Sequence, residues 1–197
     1  MANARLALYG ENPLKSGALA QIINQRQFER LQRLLESARQ DGRILLGGEI
    51  EPGDRRIAPT LIRVHDRNDP LMADELFGPL MPVLQLDDLQ RTLNDIRRGP
   101  KPLALYLFGG SQEQQQFVLN SSSSGGVCLN DVVMQAGVPD LPFGGVGASG
   151  MGSYHGKSGF DTFSHDKAVL KRSFRFDFKL RYPPYKLDLQ LLRRLAG

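Results

Sequence analysis

Pro142-Phe143-Gly144-Gly145-Val146-Gly147-Ala148-Ser149-Gly150-Met151-Gly152-Ser153-Tyr154-His155-Gly156 is the stretch on which the reading of this chain turns. Glycine loses more backbone freedom on folding than any other residue, so glycines this dense mark backbone that needs positive φ or must lie close against another surface. The stretch reads as a shaped loop. It contains Gly145-x-Gly147-x-x-Gly150, the spacing of a dinucleotide-binding fingerprint, but that fingerprint works only between a strand and a helix that starts at its last glycine. Val138-Pro139-Asp140-Leu141-Pro142 precedes it, and two prolines are incompatible with an ordinary central strand. Gly152 to Gly159 follows, with too many glycines to predict a helix. The match is therefore read as coincidental.

Outward from the loop, strand and helix signals alternate. Gly126-Val127-Cys128-Leu129-Asn130 reads as a strand, preceded by a serine-glycine turn over 121–126 and a helix from a Ser111 cap to about Leu119. Leu103-Ala104-Leu105-Tyr106-Leu107-Phe108 is apolar without alternation, which predicts a strand covered on both faces. Before it, Asp87 is expected to cap a helix with Leu89, Leu93 and Ile96 facing inward, and Gly99-Pro100 stops it. Further extended runs cover 80–86, 57–64 (with Pro59 as an edge or bend) and 43–48, with turn signals at Pro52-Gly53-Asp54. Asn24 and Gln27 have capping-box spacing, and Phe28, Leu31, Leu34, Leu35 and Ala38 recur at helical period until Asp41-Gly42. Such alternation predicts an α/β fold with a mostly parallel sheet, flanking helices and ligands beyond the carboxyl ends of the strands, at Phe108-Gly109 and Asn130-Asp131.

Composition bounds the function classes. The chain has 197 residues and an ordinary 41% hydrophobic share, enough for one or two packed domains. No run approaches a membrane span, Met1-Ala2-Asn3-Ala4-Arg5 does not lead into a secretory signal, and the single Cys128 excludes a disulfide within the chain; these point to a cytoplasmic protein. No metal site is expected. Residues 166–197 hold nine Lys plus Arg against three Asp, whereas the rest holds 16 basic and 18 acidic residues, so the net charge of +4 is a property of the tail. With no nucleic-acid motif, the tail reads as a solvated basic surface and no nucleic-acid partner is expected. Within it, Phe174, Phe176 and Phe178 alternate with charged residues as a strand would, until Pro183-Pro184. Leu187, Leu189, Leu191, Leu192 and Leu195 suggest a short amphipathic helix, better suited to packing on the body or a partner subunit than to a membrane surface.

The glycine loop, continued through Lys157 and Phe160-Asp161-Thr162-Phe163-Ser164-His165, resembles the signature near the end of class 3 aldehyde dehydrogenases, an NAD(P)-dependent group acting on fatty and aromatic aldehydes. Ala73-Asp74-Glu75-Leu76-Phe77-Gly78-Pro79 resembles the family's Glu-x-Phe-Gly-Pro element, and Leu8-Tyr9-Gly10-Glu11-Asn12-Pro13 its sequence shortly after the catalytic cysteine. The resemblance implies that Glu75 accepts hydrogen bonds from the nicotinamide ribose and that Phe77 packs near the nicotinamide of NAD or NADP. A carboxylate suits a vicinal diol, and an aromatic face suits a flat ring. On residue type alone, Glu75 would be a surface acid and Phe77 a core anchor before a Gly-Pro turn. By position in the family, Val133, Gly137, Phe143 and His155 wall the tunnel for the aldehyde substrate, with Gln135-Ala136-Gly137 replacing a bulkier His-x-Thr type run.

The family forms a thiohemiacetal on a cysteine in a Phe-x-x-x-Gly-Gln-x-Cys context and activates water with a glutamate of a Glu-Leu-Gly-Gly segment; neither segment occurs in these 197 residues. Cys128, inside an apolar strand, has no matching role. No catalytic residue is therefore assigned. The expectation is an aldehyde dehydrogenase-like partial catalytic domain over 1–165 and a basic tail over 166–197, beginning just downstream of the nucleophile. Alone, it should be inactive and bind the cofactor weakly or not at all, and it should form a homodimer. The rival expectation is a non-catalytic remnant acting only through subunit association.

Overall fold

The structure, a computed structural model, describes residues 2–175, 177, 182–184 and 189–195. They fall into two compact units, over 1–95 and 96–197. Helices are α1 (Ala2–Tyr9), α2 (Gln25–Gln40), α3 (Leu89–Arg98), α4 (Gln112–Ser121), α5 (Gly156–Thr162) and α6 (Leu189–Leu195). Strands are β1 (Ile44–Leu46), β2 (Ile50–Glu51), β3 (Arg56–Ile57), β4 (Thr60–Val64), β5 (Leu80–Leu84), β6 (Ala104–Leu107) and β7 (Gly126–Leu129). The class is α/β, as expected. The two longer ladders, β4 with β5 and β6 with β7, are parallel, and the short β1/β4 and β2/β3 ladders are antiparallel.

The first unit is built on α2. Asn24 caps it, its side chain accepting from the Gln27 amide at 2.9 Å, and Phe28, Leu31, Leu35 and Ala38 are buried along one face. That face packs in one cluster with Ile57, Ile62 and Val64 of the β3/β4 region and Leu80 of β5. Only half of the expected capping box forms, because the Gln27 side chain turns elsewhere: its Oε1 accepts from Arg30 Nε at 3.0 Å and its Nε2 donates to the Leu76 carbonyl at 2.7 Å. The extended run at 57–64 divides at Pro59 into β3 and β4, since proline has no amide for the ladder. Buried Thr60 closes the break: its hydroxyl donates to the Ala58 carbonyl at 2.7 Å and accepts from the Gly48 amide at 2.9 Å. The β2 strand pairs with β3 around the Pro52-Gly53-Asp54 turn, and α3 is capped by Asp88, which accepts from the Arg91 amide at 2.7 Å, one residue beyond the expected Asp87.

The second unit departs further from expectation. The β6/β7 sheet is two-stranded and β6 is not covered on both faces: Tyr106 is 40% exposed. A run of apolar residues predicts burial, but a ladder of two short strands offers too little surface to cover it. Val118 of α4 is the one buried apolar residue of this unit among the described residues. The glycine-rich segment after the loop is also not devoid of helix, because α5 forms over Gly156–Thr162, tied at its C-terminal end by the Phe163 amide donating to the Gly159 carbonyl at 3.2 Å. It starts six residues after Gly150, so the fingerprint still lacks its helix at the last glycine. In the tail, α6 forms where the leucine pattern placed a helix. Phe174 is described and carries no strand, while Phe176 and Phe178 lie outside the described residues. Among the described residues no helix is long and apolar enough to cross a membrane.

If α2 is the spine of the first unit, Leu35→Ala should cost roughly 2 to 5 kcal/mol through the cavity it leaves. Asn24→Ala should cost about 1 kcal/mol through the lost cap. Urea unfolding of the two variants measures both, and a Leu35→Ala cost no larger than that of Asn24→Ala would contradict the packing.

Candidate functional site

Each unit carries candidate residues and is described by itself. In the first, Glu75 and Phe77 sit on the loop between a 3-10 turn (Pro70–Met72) and β5. Glu75 is exposed, and Phe77 is 73% exposed with φ of +48°. Phe77 is thus no core anchor. A bulky side chain in the left-handed region is strained, by about 1 to 2 kcal/mol, and such strain survives only where surrounding contacts impose it. Those contacts are visible. The Leu76 carbonyl accepts from Gln27 Nε2 at 2.7 Å and from Arg30 Nη2 at 2.6 Å, and the Glu75 carbonyl accepts from Arg30 Nη2 at 3.1 Å. Beyond Phe77, Gly78 lies so close to Leu31 that a Cβ would overlap Leu31 Cδ1, and the Pro79 carbonyl accepts from the Thr60 amide at 2.9 Å.

In the second unit the carboxyl ends of β6 and β7 are tied together. Asn130, at φ +58°, accepts from the Gly109 amide at 2.7 Å through Oδ1, and its own amide donates to the Leu107 carbonyl at 2.8 Å. Val133 and Gly137 then flank a 3-10 turn (Met134–Ala136), Val133 at φ +65° and mostly exposed. Gln135 of that turn donates to the Tyr106 hydroxyl at 3.3 Å. The turn beyond it reaches the glycine loop: the Pro139 carbonyl and Asp140 Cα surround the place where a Cβ on Gly156 would stand.

The loop itself is a doubled-back strap. Phe143 and Tyr154 exchange backbone hydrogen bonds at 3.0 and 2.9 Å, and between them Ser149 donates to the Val146 carbonyl at 3.1 Å and accepts from its amide at 3.0 Å. Gly144 and Gly145 are glycine because the returning backbone occupies the Cβ positions; the carbonyls of Gly152 and Ser149 would overlap them. The pinch brings three rings together. Phe143 and His155 stack with centroids 6.2 Å apart, and Tyr154 stands edge-on to both at 5.7 and 4.2 Å. His155, at φ +81°, ends the loop and precedes α5, and its buried Nδ1 has no hydrogen-bond partner among the described residues.

Phe143 and His155 are therefore adjacent, and Val133 and Gly137 share one turn, whereas Glu75 and Phe77 belong to the other unit. Three of these candidates, Phe77, Val133 and His155, are among the five non-glycine residues with positive φ in the described chain. Backbone strain clusters at functional sites, and it is independent of any motif. Sequence reasoning gave Tyr154, Gln27 and Arg30 no role at the site, and named Asn130 only as a strand end near which ligands gather. Tyr154 stood in the loop motif, but the polar face of α2 gave no sign of where Gln27 and Arg30 would reach. Cys128 lies half-buried in β7.

The aldehyde dehydrogenase family model matches residues 4–169. Human aldehyde dehydrogenase family 3 member B1 is 47% identical over 89% of this chain and 37% of its own length. Aldehyde dehydrogenase family 3 member H1 of Arabidopsis thaliana is 43% identical over 95% of this chain and 39% of its own. The substrate-bound Staphylococcus aureus AldH structure aligns with a TM-score of 0.80 at 38% identity, covering all of this chain and 42% of that one. The chain thus spans about two-fifths of the length of the relatives it matches.

The glycine strap yields a direct test. Gly144→Ala and Gly145→Ala should break the Phe143–Tyr154 pairing, because the added Cβ meets backbone that cannot move aside. Gly147→Ala, at φ +61° with the nearest atom 3.7 Å away, should cost only about 1 kcal/mol of strain and keep the pairing. NMR contacts between the Phe143 and Tyr154 rings distinguish these outcomes, and their survival in Gly144→Ala would refute this account of the loop.

Proposed function

Because the chain belongs to the aldehyde dehydrogenase family and is class 3-like, we propose that it forms the C-terminal portion of an NAD(P)-dependent enzyme that oxidises fatty or aromatic aldehydes to carboxylates. In this reading 1–165 is part of the catalytic domain, 166–197 is a basic tail, and the protein is cytoplasmic. The observation that carries the cofactor assignment is Phe77, a large aromatic held in a strained conformation with its ring in the open. An exposed ring beside an exposed carboxylate suits a nicotinamide riboside, Glu75 accepting from the ribose hydroxyls and Phe77 offering a flat face. The cofactor, when bound, supplies a hydride acceptor. The residues of this chain bind and orient its nicotinamide end.

The substrate end falls to the second unit. The stacked Phe143 and His155 give an apolar wall suited to an aliphatic or aromatic aldehyde, with Val133 and Gly137 as further wall positions. Gly137 and the slender Ala136 leave more room than bulky residues would, which favours long or broad substrates. None of these residues is assigned a catalytic role, and Cys128 is assigned no part in the chemistry.

With no catalytic cysteine or glutamate segment in its sequence, the purified chain should give no aldehyde-dependent NAD(P)H. Its cofactor residues contact only the nicotinamide end, and two hydrogen bonds and a ring contact, on the order of 2 to 4 kcal/mol, do not repay the ordering of a dinucleotide. Calorimetry should accordingly find no micromolar NAD or NADP binding. Robust turnover lost in Cys128→Ala, or micromolar affinity lost in Glu75→Ala, would overturn these assignments. Phe160, Phe163, Val169, Leu170 and Phe174 are all strongly exposed, and exposed apolar surface on this scale drives association. We expect a homodimer in sizing and light-scattering measurements, and a monomer at every concentration would refute it.

A further inference from the structure

The strain at Phe77 has an identifiable source. Arg30 Nε donates to Gln27 Oε1 at 3.0 Å, which fixes the plane of the guanidinium, and from that position Nη2 reaches the carbonyls of Leu76 and Glu75. Gln27 Nε2 takes the second acceptor site of the Leu76 oxygen. Because the peptide is planar, fixing the Leu76 carbonyl also fixes the amide of Phe77. On the other side, Gly78 rests against Leu31, and two peptides further on the Pro79 carbonyl accepts from the Thr60 amide. With the peptide before Phe77 bonded from two side chains and Gly78 packed beyond it, Phe77 is held away from the negative φ where a bulky residue otherwise rests.

We propose that Gln27 and Arg30 are positioning residues for the nicotinamide end of the cofactor: through the Leu76 carbonyl they hold Phe77 in the left-handed conformation that presents its ring and the Glu75 carboxylate together. This rests on the reading of Glu75 and Phe77 as cofactor contacts. The arrangement needs a forked, planar donor at position 30, able to bond Gln27 and two carbonyls at once. A lysine ammonium keeps the charge but cannot fix that plane.

The test uses the 197-residue chain, with nicotinamide mononucleotide as the probe. In nitrogen-15 relaxation, the backbone over 75–78 should be as rigid as α2, with order parameters near 0.85, and should fall below about 0.6 in Gln27→Ala, Arg30→Ala and Arg30→Lys. Arg33→Ala, which removes an exposed charge from the same helix, should leave it unchanged. Titration with millimolar nicotinamide mononucleotide should shift the Phe77 ring resonances in the parent chain. In the Gln27 and Arg30 variants the response should weaken by about tenfold, as expected when only a tenth of the molecules present the loop correctly. If Arg30→Ala fails to fold, Gln27→Ala alone decides. Loops as rigid in the variants as in the parent would overturn the positioning role, and rigidity kept in Arg30→Lys would overturn the requirement for a planar fork at position 30. A rigid parent loop with no shift on titration would instead overturn the cofactor reading.

Discussion

A single carbonyl oxygen, that of Leu76, joins the packing of the first unit to the loop that carries Glu75 and Phe77. It receives two side-chain donors from α2, and α2 can supply them only because its other face is anchored. Phe28, Leu31 and Leu35 are fully buried against the strands, so the first turns of the helix cannot drift. Arg30 and Gln27 project from the opposite edge, three residues apart, where a helix brings side chains side by side. The burial that stabilises the unit therefore also sets the position of a loop that contributes little burial of its own. Leu31 serves both ends, since it is part of the core and also the surface against which Gly78 rests.

The same division recurs at the glycine strap by different means. No long side chain clamps it. Its backbone folds back on itself so closely that Gly144 and Gly145 have carbonyls where a Cβ would stand, and Thr162 of α5 ties it from below through a bond to the Ser153 carbonyl at 2.7 Å. The product is an aromatic cluster in which the buried Nδ1 of His155 has no hydrogen-bond partner among the described residues. In the first unit the side chains of α2 pin a loop, and in the second the loop's own backbone brings the rings together.

How much of this was legible in the sequence follows from the range of the interactions. Local signals translated well: Asn24 and Ser111 cap their helices, Pro59 divides its strand, and the leucine period of α2 is its buried face. Motif letters placed Glu75, Phe77, Phe143 and His155 on exposed or partly exposed loops. Failures came where a local rule met tertiary context. The glycine count argued against α5, yet a seven-residue helix needs few favourable residues when its last residue, Thr162, is bonded back to the loop ahead of it at Ser153. Gln27 was half of a capping-box pattern, and its side chain found a stronger partner 49 residues away. No periodicity encodes such a contact. The apolar run of β6 encodes burial on two faces, and the two-stranded ladder in which it lies leaves part of that demand unmet.

The dinucleotide fingerprint within the strap is the sharpest case of one pattern serving two geometries. In a nucleotide-binding fold its glycines admit a phosphate at a helix N-terminus. Here the close approach is made by the chain's own backbone: Gly145 faces the Ser149 carbonyl, Gly147 takes φ of +61° in the turn, and a Cβ on Gly150 would stand 3.4 Å from the Gly145 Cα. The space that a phosphate would need is filled by protein. Glycine spacing reports that something approaches the backbone closely, and only the neighbouring elements decide what it is. With a proline-broken turn before the strap and α5 displaced past its last glycine, the approaching group is the strap itself. The result is a strap that sets Phe143 against His155.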